Sequence, residues 1–430
     1  MPYHVNPENP MVLVVGTKAH AILMHPRSGM RGDDLTRQRY IHIGNIMKMK
    51  FLSLAGLVVF SSVAQAQSSV TLYGTLDTAV AYFSNQKGAN GSGGTVQMVS
   101  GTLTGDNWGL KGNEDLGGGL AAIFNLQAGY NLNTGAAGQG GRMFGRTAMV
   151  GLADKSYGTV TLGRQYDPLV DLIQPLTEDD TYGSAFATPG DIDNYDNSSR
   201  VNDSVKYTSP VYAGLQVSAM YAFGGESGET SAGQTYAIAA AYNHGPLNLA
   251  AGYLRANNGT SPTYDGFTST GLDSTAINGA FISATTLQII RAAGTYVIGP
   301  VTLGAAYSNV DYGNYAAAPG ANNGTRFNTA QAFVNYQLNA AVELGVGYDY
   351  TKGSGNNVDA GYNQVSVGAD YALSKRTDLY ALAAYQRVSG NTIDAGTGQV
   401  VEATASIADF GNDAATNSQT MVMLGIRHHF

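Results

Sequence analysis

Seven carboxylates, Asp171, Glu178, Asp179, Asp180, Asp191, Asp193 and Asp196, fall inside one stretch from Asp167 to about Asn202. Such a run can hold a divalent cation, or it can present negative charge to passing ions. Hydrolytic chemistry would need a Ser/His/acid set, and beyond residue 66 the only histidines are His244, His428 and His429. His428 and His429 are neighbours, so on a strand they point to opposite faces and cannot chelate one metal together. His244 lies in a turn with Gly245 and Pro246. Acidic runs in loops are mostly just solvated, so Glu178-Asp179-Asp180 and Asp191-Ile192-Asp193 are weak cation sites. No catalytic residue, cofactor or resident metal is expected. The stretch is nevertheless far longer than the usual structureless connection of about 12 to 15 residues, which marks it as a functional segment.

The elements around it are strands. Val342, Leu344, Val346, Tyr348 and Tyr350 alternate with Glu343, Gly345, Gly347 and Asp349, and Val365, Val367, Ala369, Tyr371 and Leu373 alternate with Gln364, Ser366, Gly368 and Asp370. A repeat of two residues is the period of a strand with two different faces. Short turns such as Asp154 to Gly158, Gly299-Pro300 and Ser374-Lys375-Arg376 are interleaved with long Gly/Asn/Ser/Asp-rich loops. That alternation is the habit of outer-membrane barrels, with short periplasmic turns and long external loops. Sixteen strands can be counted, the second running from about 98 to 115. The number is even, as closure with both ends on one side requires, and sixteen strands enclose an aqueous channel. The last strand, Met421 to Phe430, sets Val422, Leu424, Ile426, His428 and Phe430 on one face and ends on an aromatic residue.

Composition agrees. Charged residues make up 13% of the chain, about half the globular average, yet mean hydropathy is only -0.10 and no run is long and apolar enough for a spanning helix. Strands that alternate between lipid and water average out in this way. The 56 glycines and 27 tyrosines suit tight strands and interfacial aromatic girdles. Met47 to Ala66 reads as a secretory signal peptide: Lys48 and Lys50, a short apolar run from Phe51 to Phe60, then Ala64-Gln65-Ala66. Residues 1–46 are expected to be an over-extended leader absent from the mature protein, and 67–430 the barrel. Residues 1–66 hold seven Lys/Arg and three Asp/Glu, so residues 67–430 carry a formal charge of -12 against -8 for the whole chain. Nucleic acid is therefore not an expected partner.

Several segments are familiar in order along the chain: Ser69-Val70-Thr71-Leu72-Tyr73-Gly74, Trp108 to Gly117, Phe144-Gly145-Arg146, Tyr157 to Gln165, Ser204 to Pro210, Leu373 to Asp378 and the Phe430 terminus. Together they resemble the Gram-negative general porin family, most closely its β-proteobacterial branch. The resemblance implies an all-β fold: a sixteen-stranded antiparallel transmembrane β-barrel, assembled as a homotrimer in the outer membrane among lipid and lipopolysaccharide. It implies passive diffusion of small hydrophilic solutes and ions, and a terminal Phe430 read by the barrel assembly machinery. In that family the third external loop folds inward, which here is the acidic stretch. Basic residues face it from the wall, and the matching positions are Lys111, Arg146 and Arg164. Parity puts Trp108 and Leu110 toward lipid if Lys111 faces the lumen, and Met149 toward lipid if Arg146 does not.

The sequence departs from the family at two points: Asn107 stands where many members have Arg, and the Pro-Glu-Phe-Gly loop motif is absent. A substrate-selective channel, for example for small anions, is the alternative on the same fold. An enzyme or adhesin built on a barrel is disfavoured by the histidine placement and by the lack of a large extra domain.

Overall fold

The computed structural model describes residues 68–89, 91–225, 227–257, 277–281, 284–313, 324–355, 357–408 and 410–430. The expected leader and signal peptide lie outside them. The described strands are β1 (Ser69–Gly88), β2 (Gly91–Ser100), β3 (Asn107–Gly117), β4 (Leu120–Gly129), β5 (Thr147–Asp154), β6 (Gly158–Gln165), β7 (Val201–Thr208), β8 (Leu215–Ala222), β9 (Thr235–His244) and β10 (Leu247–Asn257). They continue as β11 (Thr286–Ile298), β12 (Val301–Gly313), β13 (Thr325–Asn339), β14 (Val342–Gly355), β15 (Gly361–Ala372), β16 (Thr377–Ser389), β17 (Asn391–Ile393), β18 (Val400–Glu402) and β19 (Ser418–His429).

From β3 to β16 each strand pairs antiparallel with the next, β16 pairs with β19, and β19 pairs back onto β1, closing a sixteen-stranded barrel. The arithmetic works because β2 and β3 share one place: β3 pairs with Ser69 to Thr75 of β1 and β2 with its upper part from Thr78. The second strand is thus not continuous over 98 to 115. It breaks at Gly101 to Asp106, six residues set against only Leu76 and Asp77. The small pair β17–β18 stands apart from the barrel, in the connection between β16 and β19.

The two faces of the wall follow the sequence. Leu344, Val346, Tyr348 and Tyr350 are exposed, whereas Gly345, Gly347, Asp349 and Thr351 are buried. A row of exposed apolar side chains on every strand is the surface a hydrocarbon solvent demands, and closure leaves no unpaired edge in it. The opposite face is not uniformly polar as expected, since Ala237, Ala239, Ala241, Ala250, Ala293 and Ala306 are buried there.

The seam between β1 and β19 runs from Phe83↔Met421 to Thr75↔His429 and ends on one close contact. Phe430 exchanges backbone hydrogen bonds with Gly74, its N–H donating at 3.0 Å and its carbonyl accepting at 3.2 Å. Its ring lies over Gly74, where a Cβ would come within 2.5 Å of Cζ. The seat is therefore Gly74, whereas Val70 and Leu72 pair with Gly112 and Leu110 on the other side of β1. Gly74→Val should lower the yield of folded barrel as severely as deletion of Phe430, while export to the periplasm continues. Heat-modifiable mobility on gels checks this, and wild-type amounts of folded barrel would contradict it.

Candidate functional site

The acidic stretch between β6 and β7 folds because its polar groups find partners. Asp167 caps the short helix α1 (Pro168–Ile173), its carboxylate accepting from the N–H groups of Leu169 at 2.8 Å and Val170 at 3.3 Å. Leu169 and Ile173 then bury against the alanines of β9 to β11, and a Cβ at Gly252 would meet Leu169 at 2.9 Å. Further along, Tyr182 and Phe186 stack at 5.0 Å between centroids. They rest on a glycine trough: a Cβ at Gly345 or Gly368 would overlap the Tyr182 ring, and one at Gly347 would lie 3.1 Å from Phe186. Side-chain amides complete the seat, Gln331 donating to the Phe186 carbonyl and Gln364 to those of Ala185 and Ala187. All these wall residues belong to the face turned away from the apolar belt.

The seven acids do different things. Asp171 forms an ion pair with Lys206 of β7. Asp191 accepts from the backbone N–H groups of Asp196 at 2.9 Å and Ser198 at 3.1 Å, and Asp193 from the Thr188 hydroxyl at 2.8 Å and the Ser308 hydroxyl, so both are structural. Glu178 is fully buried beside the Asn335 amide. Burial, with help from Asp179 and Glu343, pushes its carboxyl up to about 9, and at neutral pH it is protonated and adds no charge. Burial also raises Asp179, to about 7, and Asp180, to about 6, with Arg427 opposing the second. Asp180 is open to water yet enclosed by protein on most sides. Asp196 accepts from the Ser184 hydroxyl.

Asp179, Asp180 and Asp196 line one cavity of about 590 Å³ together with Arg146, Arg200 and the wall from Gln97 to Gly105. Of the three expected basic residues, only Arg146 reaches it. β5 starts at Thr147, so strand alternation does not extend to Arg146, whose direction is set by the preceding loop. For the same reason Met149 is not outward. It pairs with Asn125 and Gly163, while the exposed residues of β5 are Val150 and Leu152. Lys111 lines a separate recess of about 350 Å³ with Thr71, Asn125 and Met149, its ammonium 5.2 Å from the Tyr73 ring centroid.

Arg164 has the parity of the exposed Leu162, yet it is buried. Gly163, at φ +124°, introduces a bulge that an L side chain would resist, and it turns Arg164 inward. The guanidinium donates to the Gly145 carbonyl at 2.7 Å and to Asn202 at 2.5 Å, clamping the ends of two loops.

Four further arginines and lysines escaped the sequence reading. Arg200 donates to the Tyr166 hydroxyl at 2.7 Å and stacks over that ring at 4.8 Å. Lys206 holds Asp171. Arg291, fully buried, donates to the Asn194 carbonyl at 2.8 Å and lies 3.7 Å from the Tyr195 ring centroid. Arg427 binds Asp378 at 3.2 Å and the Thr104 hydroxyl at 3.1 Å. Arg427 and Lys206 carried a legible signal, as charged residues on the inner parity of the last strand and of β7.

A closed, even-stranded antiparallel barrel, apolar outside and charged within, defines a transmembrane β-barrel of the outer membrane. Within that class, residues 53–391 match the model of the Gram-negative porin family, and the chain belongs to it. It is 35% identical over 234 residues to an outer membrane porin protein of Bordetella pertussis, covering 49% of this chain and 60% of that one. It is 36% identical over 219 residues to the outer membrane porin protein 32 of Delftia acidovorans, covering 48% and 59%. The matched portion thus spans about three-fifths of these relatives. Among solved structures, the anion-selective porin from Comamonas acidovorans shares the fold at a TM-score of 0.65 and 24% identity, over 85% of this chain and all of that one.

Proposed function

We propose that the protein is a water-filled channel for passive diffusion of small hydrophilic solutes and ions, working as a homotrimer, with the β6–β7 segment lying across the bore as its constriction. The observation that carries this reading is the single cavity where Arg146 and Arg200 meet Asp179, Asp180 and Asp196. Opposite charges across a narrow aqueous space set up a transverse field. One charge 4 Å from a permeating ion in water contributes only about 1 kcal/mol, so such a site sorts ions without trapping them. The titration of the carboxyls favours the anion-preferring reading in acid: below about pH 6, Asp179 and Asp180 are mostly neutral and the arginines stand unopposed. The name of the Comamonas relative supports the same direction.

Purified protein in planar bilayers should give stable ohmic steps. In a salt gradient its anion preference should decline a few-fold as pH rises from 5 to 8, because ionising carboxyls add negative charge. Absence of conductance would defeat the channel reading. A preference independent of pH would remove Asp179 and Asp180 from the path.

A further inference from the structure

We propose that the break in the second strand, Gly101 to Asp106, is a second constriction element, built from the wall rather than from a loop. The inference rests on the channel reading and adds a part to it. Six residues standing against two must leave the plane of the sheet, and the hydrogen bonds show which way they go. The buried Asp77 carboxylate of β1 accepts from the N–H groups of Leu103 at 2.6 Å and Thr104 at 2.8 Å, and from the Tyr380 hydroxyl at 2.5 Å. Asp77 belongs to the inner parity of its strand, between the exposed Leu72 and Val80, so the excursion is tied down on the lumen side.

The excursion meets the β6–β7 segment directly. The Ser184 N–H donates to the Thr102 carbonyl at 3.2 Å, and a Cβ at Gly183 would overlap that oxygen. It also makes room for the charge in the cavity, because a Cβ at Gly105 would fall 2.5 Å from Nη1 of Arg146. The charged cavity is therefore bounded both by the acidic segment and by this tied excursion, which meet at Ser184 and Thr102. Gly105 is a specificity-determining position: any side chain there must displace the Arg146 guanidinium from its present place in the cavity.

The chain contains no cysteine, so single introduced thiols are unambiguous. Thr104→Cys, treated in the bilayer with a bulky cationic methanethiosulfonate, should lose more than half its conductance. Val96→Cys, on the exposed apolar face, should lose none. Gly105→Val should lower the anion-to-cation permeability ratio about two- to fivefold, since it displaces one charge. Thr104→Cys that is fully modified by mass yet conducts as before would overturn the proposal while leaving the channel reading intact. A parent protein that carries no current would overturn the channel reading itself. An unchanged ratio in a conducting Gly105→Val channel would overturn the role given to Gly105.

Discussion

Gly345→Val combined with Gly368→Val should leave a closed barrel that conducts more, and more noisily, than the parent. The reason lies in how the β6–β7 segment is held. Tyr182 is fully buried between these two glycines, so valine at either position occupies space the ring already fills. Burying an aromatic side chain of this size contributes roughly 1.5 to 3 kcal/mol, and Phe186 is stacked on the same ring. Around Ala185 to Ala187 the neighbouring ties are the amide donors of Gln331 and Gln364 and the hydroxyl of Ser366, each worth about 1 kcal/mol net. With both aromatics dislodged, these cannot hold the stretch from Tyr182 to Ala187 in place, and the bore should widen there, while Lys206 on Asp171, Ser308 on Asp193 and Arg291 on Asn194 keep the rest of the segment seated. The barrel itself should survive, because the strand ladders and the outward row of Leu344, Val346, Val365 and Val367 are untouched. Single-channel recording and liposome swelling with sugars of graded size check the expectation. A folded variant with unchanged conductance, noise and size cut-off would mean that the aromatic seat does not set the bore.

The wall was legible because its two-residue period is written in side chains of opposite character. Val342 to Tyr350 and Asn363 to Leu373 alternate without interruption, and both run as strands with the faces read from the sequence. Legibility ended where the backbone leaves that period. The break at Gly101 to Asp106 is held by partners that only the fold supplies, the buried Asp77 carboxylate of a neighbouring strand, Arg427 and Ser184, together with the Asp106 carboxylate on the Asp77 N–H. Arg164 turned on a glycine bulge, and Arg146 on the loop before β5, so neither direction followed from counting residues. The acidic stretch was visible as composition, but composition does not separate acids that cap or brace backbone, as Asp191 and Asp193 do, from those that line the cavity. Arg200 and Arg291 were missed for a related reason: each acts on an aromatic ring, Tyr166 or Tyr195, that only the fold brings beneath it.

The double variant Arg146→Gln/Arg200→Gln should move ion preference toward cations by about tenfold, the largest selectivity change expected from two neutral substitutions. Each guanidinium removed takes away about 1 kcal/mol of attraction for an anion passing at 4 Å in water, and an equal repulsion for a cation. Greater distances and screening at physiological salt reduce the combined effect to roughly 1.4 kcal/mol, which is a factor of ten. Glutamine keeps amide donors in place, so the Tyr166 hydroxyl near Arg200 retains a partner within reach and the loops should stay folded. The variant's cation preference should also rise with pH, because Asp179 and Asp180 then ionise with neither Arg146 nor Arg200 in their cavity. Lys111→Gln, in its separate recess, should change preference far less. Reversal potentials of the three channels in a tenfold salt gradient decide the matter. If the double variant inserts and conducts with the parent's preference, the charges that sort ions lie elsewhere on the wall, and Arg427 with Asp378 and Asp370 becomes the next place to look.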